Sequence, residues 1–212
     1  MSQRVPLPRS VPTEWPAEGP VGNQRLTSSV AVVLLVLLAV EGATLLNLGP
    51  AIRVHVFVGM MLLPPVALKL ASTGYRLIRY YAGAAAYVRR GTPILLARLL
   101  GPVVVFLTVL LLATGVALLY VPPGHGLLVT AHKASFVLWF GAMSLHVLLH
   151  IFELPQSGVQ DWLPRTKRIA GVISRREVVL GSVLIGAVVG FIFLPGATPW
   201  QHWLAGFGAG SG

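Results

Sequence analysis

Hydrophobic residues dominate five stretches of this chain, and shorter polar segments separate them. The stretches cover residues 28–48, 52–72, 97–121, 127–151 and 177–195. Each is close to the ~20 residues that an α-helix needs to cross the hydrocarbon core of a bilayer. The pattern therefore predicts an all-α integral membrane protein built as a bundle of about five transmembrane helices. Pro64 and Pro65 lie within the second stretch and should kink its helix.

The positions of the basic residues predict how these helices are oriented. Arginines 76, 79, 89 and 90 follow the second stretch, and another basic segment follows the fourth. The connection between the third and fourth stretches has no Lys or Arg, and neither does the C-terminal tail. Under the positive-inside rule the N-terminus is cytoplasmic and the C-terminus is outside. We therefore expect a multi-pass protein of the plasma membrane, with Trp200 and Trp203 at the outer interface.

The same pattern divides the chain into five parts. Residues 1–27 are polar and rich in proline and should form a disordered cytoplasmic arm. Residues 28–152 should form a four-helix transmembrane core, and residues 153–176 a basic cytoplasmic linker. Residues 177–195 are the predicted fifth transmembrane helix, which leaves residues 196–212 as an extracytoplasmic tail.

Composition supports the membrane assignment and narrows the chemistry. Only 10% of the residues are charged, well below the ~25% typical of soluble domains. The net charge of +10 raises the question of nucleic acid, but the basic residues flank apolar stretches as topology determinants, so no nucleic-acid partner is expected. The absence of cysteine excludes thiolate metal sites and iron–sulfur clusters within this chain. A metal would have to be held chiefly by histidine.

Two histidines on different helices lie at nearly the same predicted depth. Counting helix rise from the outer boundary places His55 roughly 5 Å and His132 roughly 7 Å below it. Two imidazoles on facing helices are the ligands that a six-coordinate haem b requires in a helical bundle. The sequence therefore predicts His55 and His132 as axial ligands of the haem iron. Interhelical hydrogen bonding is the alternative role for the pair.

A second site is predicted near the inner surface. His146 follows His132 by 14 residues, about four helical turns, and so faces the same side of the helix. On the second helix, the residue 14 positions after His55 is Lys69. His146 is thus a candidate ligand of a second haem, with Lys69, His150, a water or an empty site opposite it. The alternative is a histidine at the inner interface, and this is also the expected place of His150.

Glycines and one arginine could complete a haem site. Gly59 follows His55 by one turn, and Gly101 and Gly115 lie 14 residues apart on the third helix. A porphyrin plane beside a helix needs missing side chains, which glycine provides. Close helix packing is the alternative reason for these glycines. Arg53 should neutralise haem propionates or anchor its helix at the headgroups.

Glu41 and Lys133 are charged residues predicted at roughly 10 Å depth on the outer side. Charged residues at such depth usually face the protein interior and find partners there. We expect a buried ion pair between Glu41 and Lys133. The alternative is that Glu41 accepts protons from a quinol oxidised beside the outer haem.

These features resemble the membrane b-type cytochromes of the respiratory formate dehydrogenase gamma-subunit and hydrogenase cytochrome b type, which are di-haem, four-helix, quinone-linked proteins. The matching segments are "RVHVFVG" around His55 and "AHKASFVLWFGAMSLH", which contains His132 and His146, and the resemblance covers residues 28–152. It implies that His55 and His132 ligate the haem nearer the outside. It also implies that His146 pairs with a histidine early in the first helix, but this chain has no histidine before His55.

The expected function is that of a membrane haem b electron carrier between the quinone pool and an extracytoplasmic redox partner. The chain has no Cys nucleophile, Gly-rich phosphate loop or metal-hydrolase motif, so we expect an electron-transfer subunit rather than a catalytic one. A cofactor-free membrane scaffold or assembly protein and a proton-coupled transporter are the alternatives. His125 and His202 should be solvated surface histidines.

Overall fold

The computed structural model describes residues 19–89, 95–124, 126–150, 161–163 and 171–209. All regular secondary structure in these residues is helical. The α-helices are α1 (Pro20–Thr44), α2 (Leu48–Met61), α3 (Leu63–Tyr81), α4 (Ala85–Val88), α5 (Leu95–Leu118), α6 (Gly126–His150), α7 (Val172–Phe193) and α8 (Thr198–Ala209). Short 3-10 turns at Leu45–Asn47 and Leu194–Ala197 join α1 to α2 and α7 to α8.

Four helical segments are long and apolar enough to cross a membrane. They are Pro20–Tyr81, Arg98–Leu118, Gly126–His150 and Val172–Gly206. The first segment folds back on itself at Asn47, whose φ of −150° and ψ of 73° interrupt the helix. It therefore contributes two helical rods, α1 and the α2–α3 pair. The predicted all-α membrane protein is confirmed, with five long rods in the described part of the chain.

The first two rods form an antiparallel hairpin. At the end nearer the turn, Thr44 Oγ1 lies 2.9 Å from His55 Nδ1. At the other end, Thr27 Oγ1 lies 3.0 Å from the Ser72 hydroxyl. Apolar packing between these contacts includes Val30. Helices α2 and α3 meet at Leu62, which keeps a helical backbone with φ of −67° and ψ of −25° just before the proline pair.

The next two rods, α5 and α6, form a second antiparallel hairpin. Trp139 Nε1 donates a hydrogen bond to Thr108 Oγ1 at 2.9 Å. Nearer the connecting loop, Thr114 Oγ1 lies 3.0 Å from His132 Nδ1. The two hairpins, α1–α3 and α5–α6, provide the walls of the site described below.

The fifth rod, α7, packs antiparallel to α2 through glycines. A Cβ added to Gly190 would lie 2.8 Å from the backbone oxygen of Phe57, and one added to Gly186 would clash with the backbone oxygen of Met61. Glycines four residues apart let membrane helices approach this closely. The GxxxG pattern is visible in the sequence, but the sequence does not show that it faces α2.

Asp161 joins α1 to the start of α7. Its carboxylate lies 2.9 Å from Arg25 Nη1 and 2.5 Å from Arg175 Nε, while Arg176 donates to its backbone oxygen. Burial raises the pKa of the Asp161 carboxyl, but hydrogen bonds and charge from Arg175 and Arg25 outweigh burial and hold this pKa below its ordinary value. The segment predicted as a basic linker thus contains an acidic residue, Asp161, that forms ion pairs with α1 and α7.

Several predicted boundaries shift in the structure. Helix α1 begins at Pro20, so the last residues assigned to the N-terminal arm are helical. Their polar side chains find partners inside the protein, as Arg25 does with Asp161, and this allows the helix to extend. The predicted tail contains α8. The parts of these predictions that fall on residues 1–18, 151–160, 164–170 and 210–212 lie outside the described residues.

Candidate functional site

A cavity of ≈ 2110 Å³ lies between the two hairpins. It is about twice the upper end of the ~300–1,000 Å³ range of small-molecule sites. Most of its lining is apolar, and it receives residues from α1, α2 and α3 on one side and from α5 and α6 on the other. His55, His132 and His146 all line it. The structure thus brings the three predicted ligand histidines to one space.

His55 on α2 is held by two residues of α1. Its Nδ1 lies 3.1 Å from Glu41 Oε1 and 2.9 Å from Thr44 Oγ1. The Thr44 hydroxyl donates its single proton to the backbone oxygen of Glu41, so it can only accept from the imidazole. His55 therefore carries its proton on Nδ1, which leaves the lone pair of Nε2 available to a ligand.

His132 on α6 is held in the same way by α5. Its Nδ1 lies 3.0 Å from Thr114 Oγ1. The Thr114 hydroxyl lies 2.8 Å from the Leu110 oxygen and 2.9 Å from the Leu111 oxygen, so its proton is used within its own helix. It therefore accepts from Nδ1–H of His132. Both histidines present the same tautomer, with the lone pair on Nε2.

The His55 and His132 imidazoles interact electrostatically across the cavity. His132 is close enough to His55 to interact with it electrostatically. Each hairpin supplies a threonine on its first helix and a histidine on its second, Thr44 with His55 and Thr114 with His132. Sequence reasoning missed both threonines, because a threonine in an apolar helix carries no signal that distinguishes an orienting hydroxyl from a packed one.

The glycines predicted to make room for a porphyrin have different neighbours. A Cβ added to Gly59 would lie 3.3 Å from Glu41 Oε1, and one added to Gly115 would lie 3.1 Å from His132 Cε1. These glycines therefore make room for side chains of the site itself. Gly101 lines the cavity, and an added Cβ there would meet nothing within 4 Å. It alone of the three faces open space.

The predicted ion pair between Glu41 and Lys133 is wrong. Glu41 lies against His55 because α1 packs on α2, its hairpin partner. Lys133 is exposed and lines the cavity, and no ion pair with Glu41 forms in the described part of the chain. Arg53 is also exposed and is not among the residues that line the cavity.

The part of the cavity farther from His55 and His132 contains His146, His150 and Lys69. Lys69 Nζ donates to the backbone oxygen of Thr27 at 2.9 Å. His146 interacts electrostatically with His150 and Lys69, and its Nδ1 is buried with no hydrogen-bond partner among the described residues. The His150 ring lies 4.7 Å from that of His146 on the same helix. The opposing position of Lys69 and His146 in a second haem site stays a prediction.

Trp200, Trp203 and His202 lie on α8. Trp200 is buried and donates from Nε1 to the Leu118 oxygen at 3.0 Å. Trp203 is partly exposed and also lines the cavity. His202 is exposed, as expected, and His125 lies outside the described residues. Within the described segments, no group of three or more His, Asp or Glu side chains could hold a metal ion.

No protein-family model, curated protein or solved structure matches this chain. The functional assignment therefore depends on the geometry of the cavity and on the histidine motifs.

Proposed function

We propose that this chain is a membrane haem b protein that carries electrons between the quinone pool and an extracytoplasmic redox partner. One observation supports this proposal most directly. His55 and His132 line the same cavity from two different hairpins, and each has its Nδ1 hydrogen-bonded to a threonine. This arrangement leaves an Nε2 lone pair on each side of the cavity.

The residues present fit a haem. Histidine ligands of metals almost always donate their other ring N–H to a protein group, which fixes the tautomer and the ring orientation. Thr44 and Glu41 provide this support for His55, and Thr114 provides it for His132. The largely apolar lining suits a macrocycle and limits the access of water.

A haem iron held there would supply one-electron chemistry, alternating between the ferric and ferrous states. A quinol that reduces such a carrier gives up two electrons one at a time and releases two protons, and the outside partner accepts the electrons in turn. In this scheme the chain's own residues hold and orient the cofactor. His55 and His132 would ligate the iron, while Thr44 and Thr114 keep their Nδ1 protons in place.

The proposal is for one haem in the outer half of the cavity. At the inner end, Lys69 donates to a backbone oxygen, and no described imidazole from another helix joins it opposite His146. The ratio of iron to protein in the purified chain should therefore be 1, and a ratio of 2 would show that the inner half also holds a haem.

A reduced-minus-oxidised absorbance spectrum of the full chain, produced with ample haem and purified in detergent, tests the proposal. We expect the bands of a low-spin haem b, and we expect His55→Ala and His132→Ala to abolish them. His146→Ala is the matched control, since it removes a histidine that lies on the same helix as His132 and lines the same cavity. The haem b bands of the His146→Ala protein should persist. A wild-type protein without haem bands would contradict the proposal and favour a cofactor-free scaffold.

A further inference from the structure

The two predicted haem ligands differ in what their Nδ1 atoms contact. His132 is bonded to the neutral hydroxyl of Thr114. His55 is bonded to a hydroxyl and also to a carboxyl group, with Glu41 Oε1 at 3.1 Å. Among the described residues that line the cavity, Glu41 is the only acid. One predicted ligand, His55, therefore contacts a carboxyl group, and the other, His132, does not.

The position of Glu41 depends on the close approach of α1 and α2. Its side chain is 16% exposed, and its second oxygen, Oε2, is buried without a hydrogen-bond partner among the described residues. Gly59, one turn after His55, faces it. A Cβ at Gly59 would lie 3.3 Å from Oε1, a distance that would oblige the carboxyl group to move. Gly59 thus makes room for the contact between Glu41 and His55.

We infer that Glu41 is a positioning residue that lowers the reduction potential of the haem through His55. This inference rests on the proposed function. A carboxyl group that accepts the Nδ1 proton of a ligating histidine makes that ligand more basic. A more basic ligand stabilises the ferric iron more than the ferrous iron. Hydrogen bonding around the axial ligand is one of the means by which a protein sets the potential of a haem.

The asymmetry has a consequence for the two ligands. His55 becomes the stronger electron donor to the iron, while His132, bonded to a neutral hydroxyl, remains an ordinary imidazole ligand. Loss of the Glu41 carboxyl group should therefore change the potential without removing either ligand. This distinguishes Glu41 from His55 and His132, whose loss should remove the haem.

Glu41→Gln is the first test, because the glutamine amide oxygen can still accept a hydrogen bond from His55, but the amide is a weaker acceptor than a carboxylate and cannot ionise. The midpoint potential of the full chain is measured by spectroelectrochemical titration at one fixed pH. We expect the ferric-to-ferrous equilibrium to shift about tenfold toward the ferrous form, a rise of ~59 mV for a one-electron couple. Glu177→Gln makes the same charge change at an exposed position at the start of α7 and should leave the potential unchanged.

Gly59→Ala is the second test, because it keeps every hydrogen-bonding group and displaces only the carboxyl group. The potential should rise, but by less than in Glu41→Gln. Gly49→Ala is its control, since Gly49 lies on the same helix, does not line the cavity, and its added methyl group meets no atom within 4 Å. If Glu41→Gln protein does not retain haem, the comparison of the two glycine variants decides the question.

The outcomes separate this inference from the function on which it rests. Wild-type protein that binds no haem overturns both. Wild-type protein that binds haem, with Glu41→Gln or Gly59→Ala at the wild-type potential, overturns only the role of Glu41. Raised potentials in Glu41→Gln and Gly59→Ala, with wild-type potentials in their two control variants, support the role of Glu41.

Discussion

Thr114 and His132 are joined across the α5–α6 hairpin by a hydrogen bond, with 3.0 Å between Thr114 Oγ1 and His132 Nδ1. Thr44 and His55 repeat this relationship across the first hairpin at 2.9 Å. In each pair the threonine donates its proton to its own helix and accepts from the imidazole. Two hairpins thus present histidines of the same tautomer to one cavity.

Thr114→Val should weaken haem binding by about 10- to 100-fold, the usual effect of losing a group that orients a metal ligand. Valine has nearly the same shape but cannot accept the Nδ1 proton, so the His132 ring loses its fixed tautomer. Titration of haem into the apoprotein measures the change. Thr108→Val is the matched control, because Thr108 lies on the same helix and accepts from Trp139 instead. Equal affinities in the two variants would contradict the role of Thr114.

Gly186→Ala should destabilise the bundle by about 1–3 kcal/mol, the usual cost of overpacking a tightly fitted interior. Its methyl group would clash with the backbone oxygen of Met61, so α7 would have to move away from α2. Unfolding in detergent micelles, followed by circular dichroism, measures the loss. Gly181→Ala is on the same helix but meets no atom within 4 Å and should be tolerated. Similar losses in both variants would argue against the close contact between α7 and α2.

Asp161→Asn should cost about 3–5 kcal/mol at neutral pH, because it removes the anion that two largely buried arginines share. The pKa of Asp161 is held below its ordinary value in the folded protein. Its stabilising effect is therefore complete above the ordinary aspartate pKa of about 4 and is lost as the pH falls through the lower, folded-state value.

Unfolding experiments at pH 7 and pH 3 measure this effect. The wild type should lose stability between these values, and Asp161→Asn should lose less over the same range. Glu177→Gln removes an exposed acid near the same end and should keep the wild-type dependence. An unchanged pH dependence in Asp161→Asn would assign acid sensitivity to other groups.

Trp200→Phe should loosen α8 from the end of α5 by about 1 kcal/mol, the net contribution of a typical hydrogen bond. Phenylalanine keeps most of the apolar contact but cannot donate to the Leu118 oxygen. Limited proteolysis of the protein in detergent should then cut the C-terminal region faster than in the wild type. Trp203→Phe changes the neighbouring, more exposed ring and should have a smaller effect. Faster cleavage of Trp203→Phe than of Trp200→Phe would contradict the anchoring role of Trp200.

The sequence by itself determined the all-α membrane class and the helical rods. Bilayer thickness sets the length of an apolar helix, and the fixed helix rise converts residue number into depth. The matching depths of His55 and His132, and the position of Lys69 opposite His146, are predictions from the same helix rise. These properties are local, so a single stretch of chain is enough to predict them.

Only the tertiary structure decided which side chains meet. Glu41 was expected to pair with Lys133 because their depths match, but its contact is with His55 because α1 packs against α2. Likewise, Thr114 contacts His132 because α5 packs against α6. Helix neighbours and rotations are set by the fit of side chains between distant segments, such as Gly190 of α7 against Phe57 of α2. Hydropathy and periodicity describe each helix separately and contain no information about that fit.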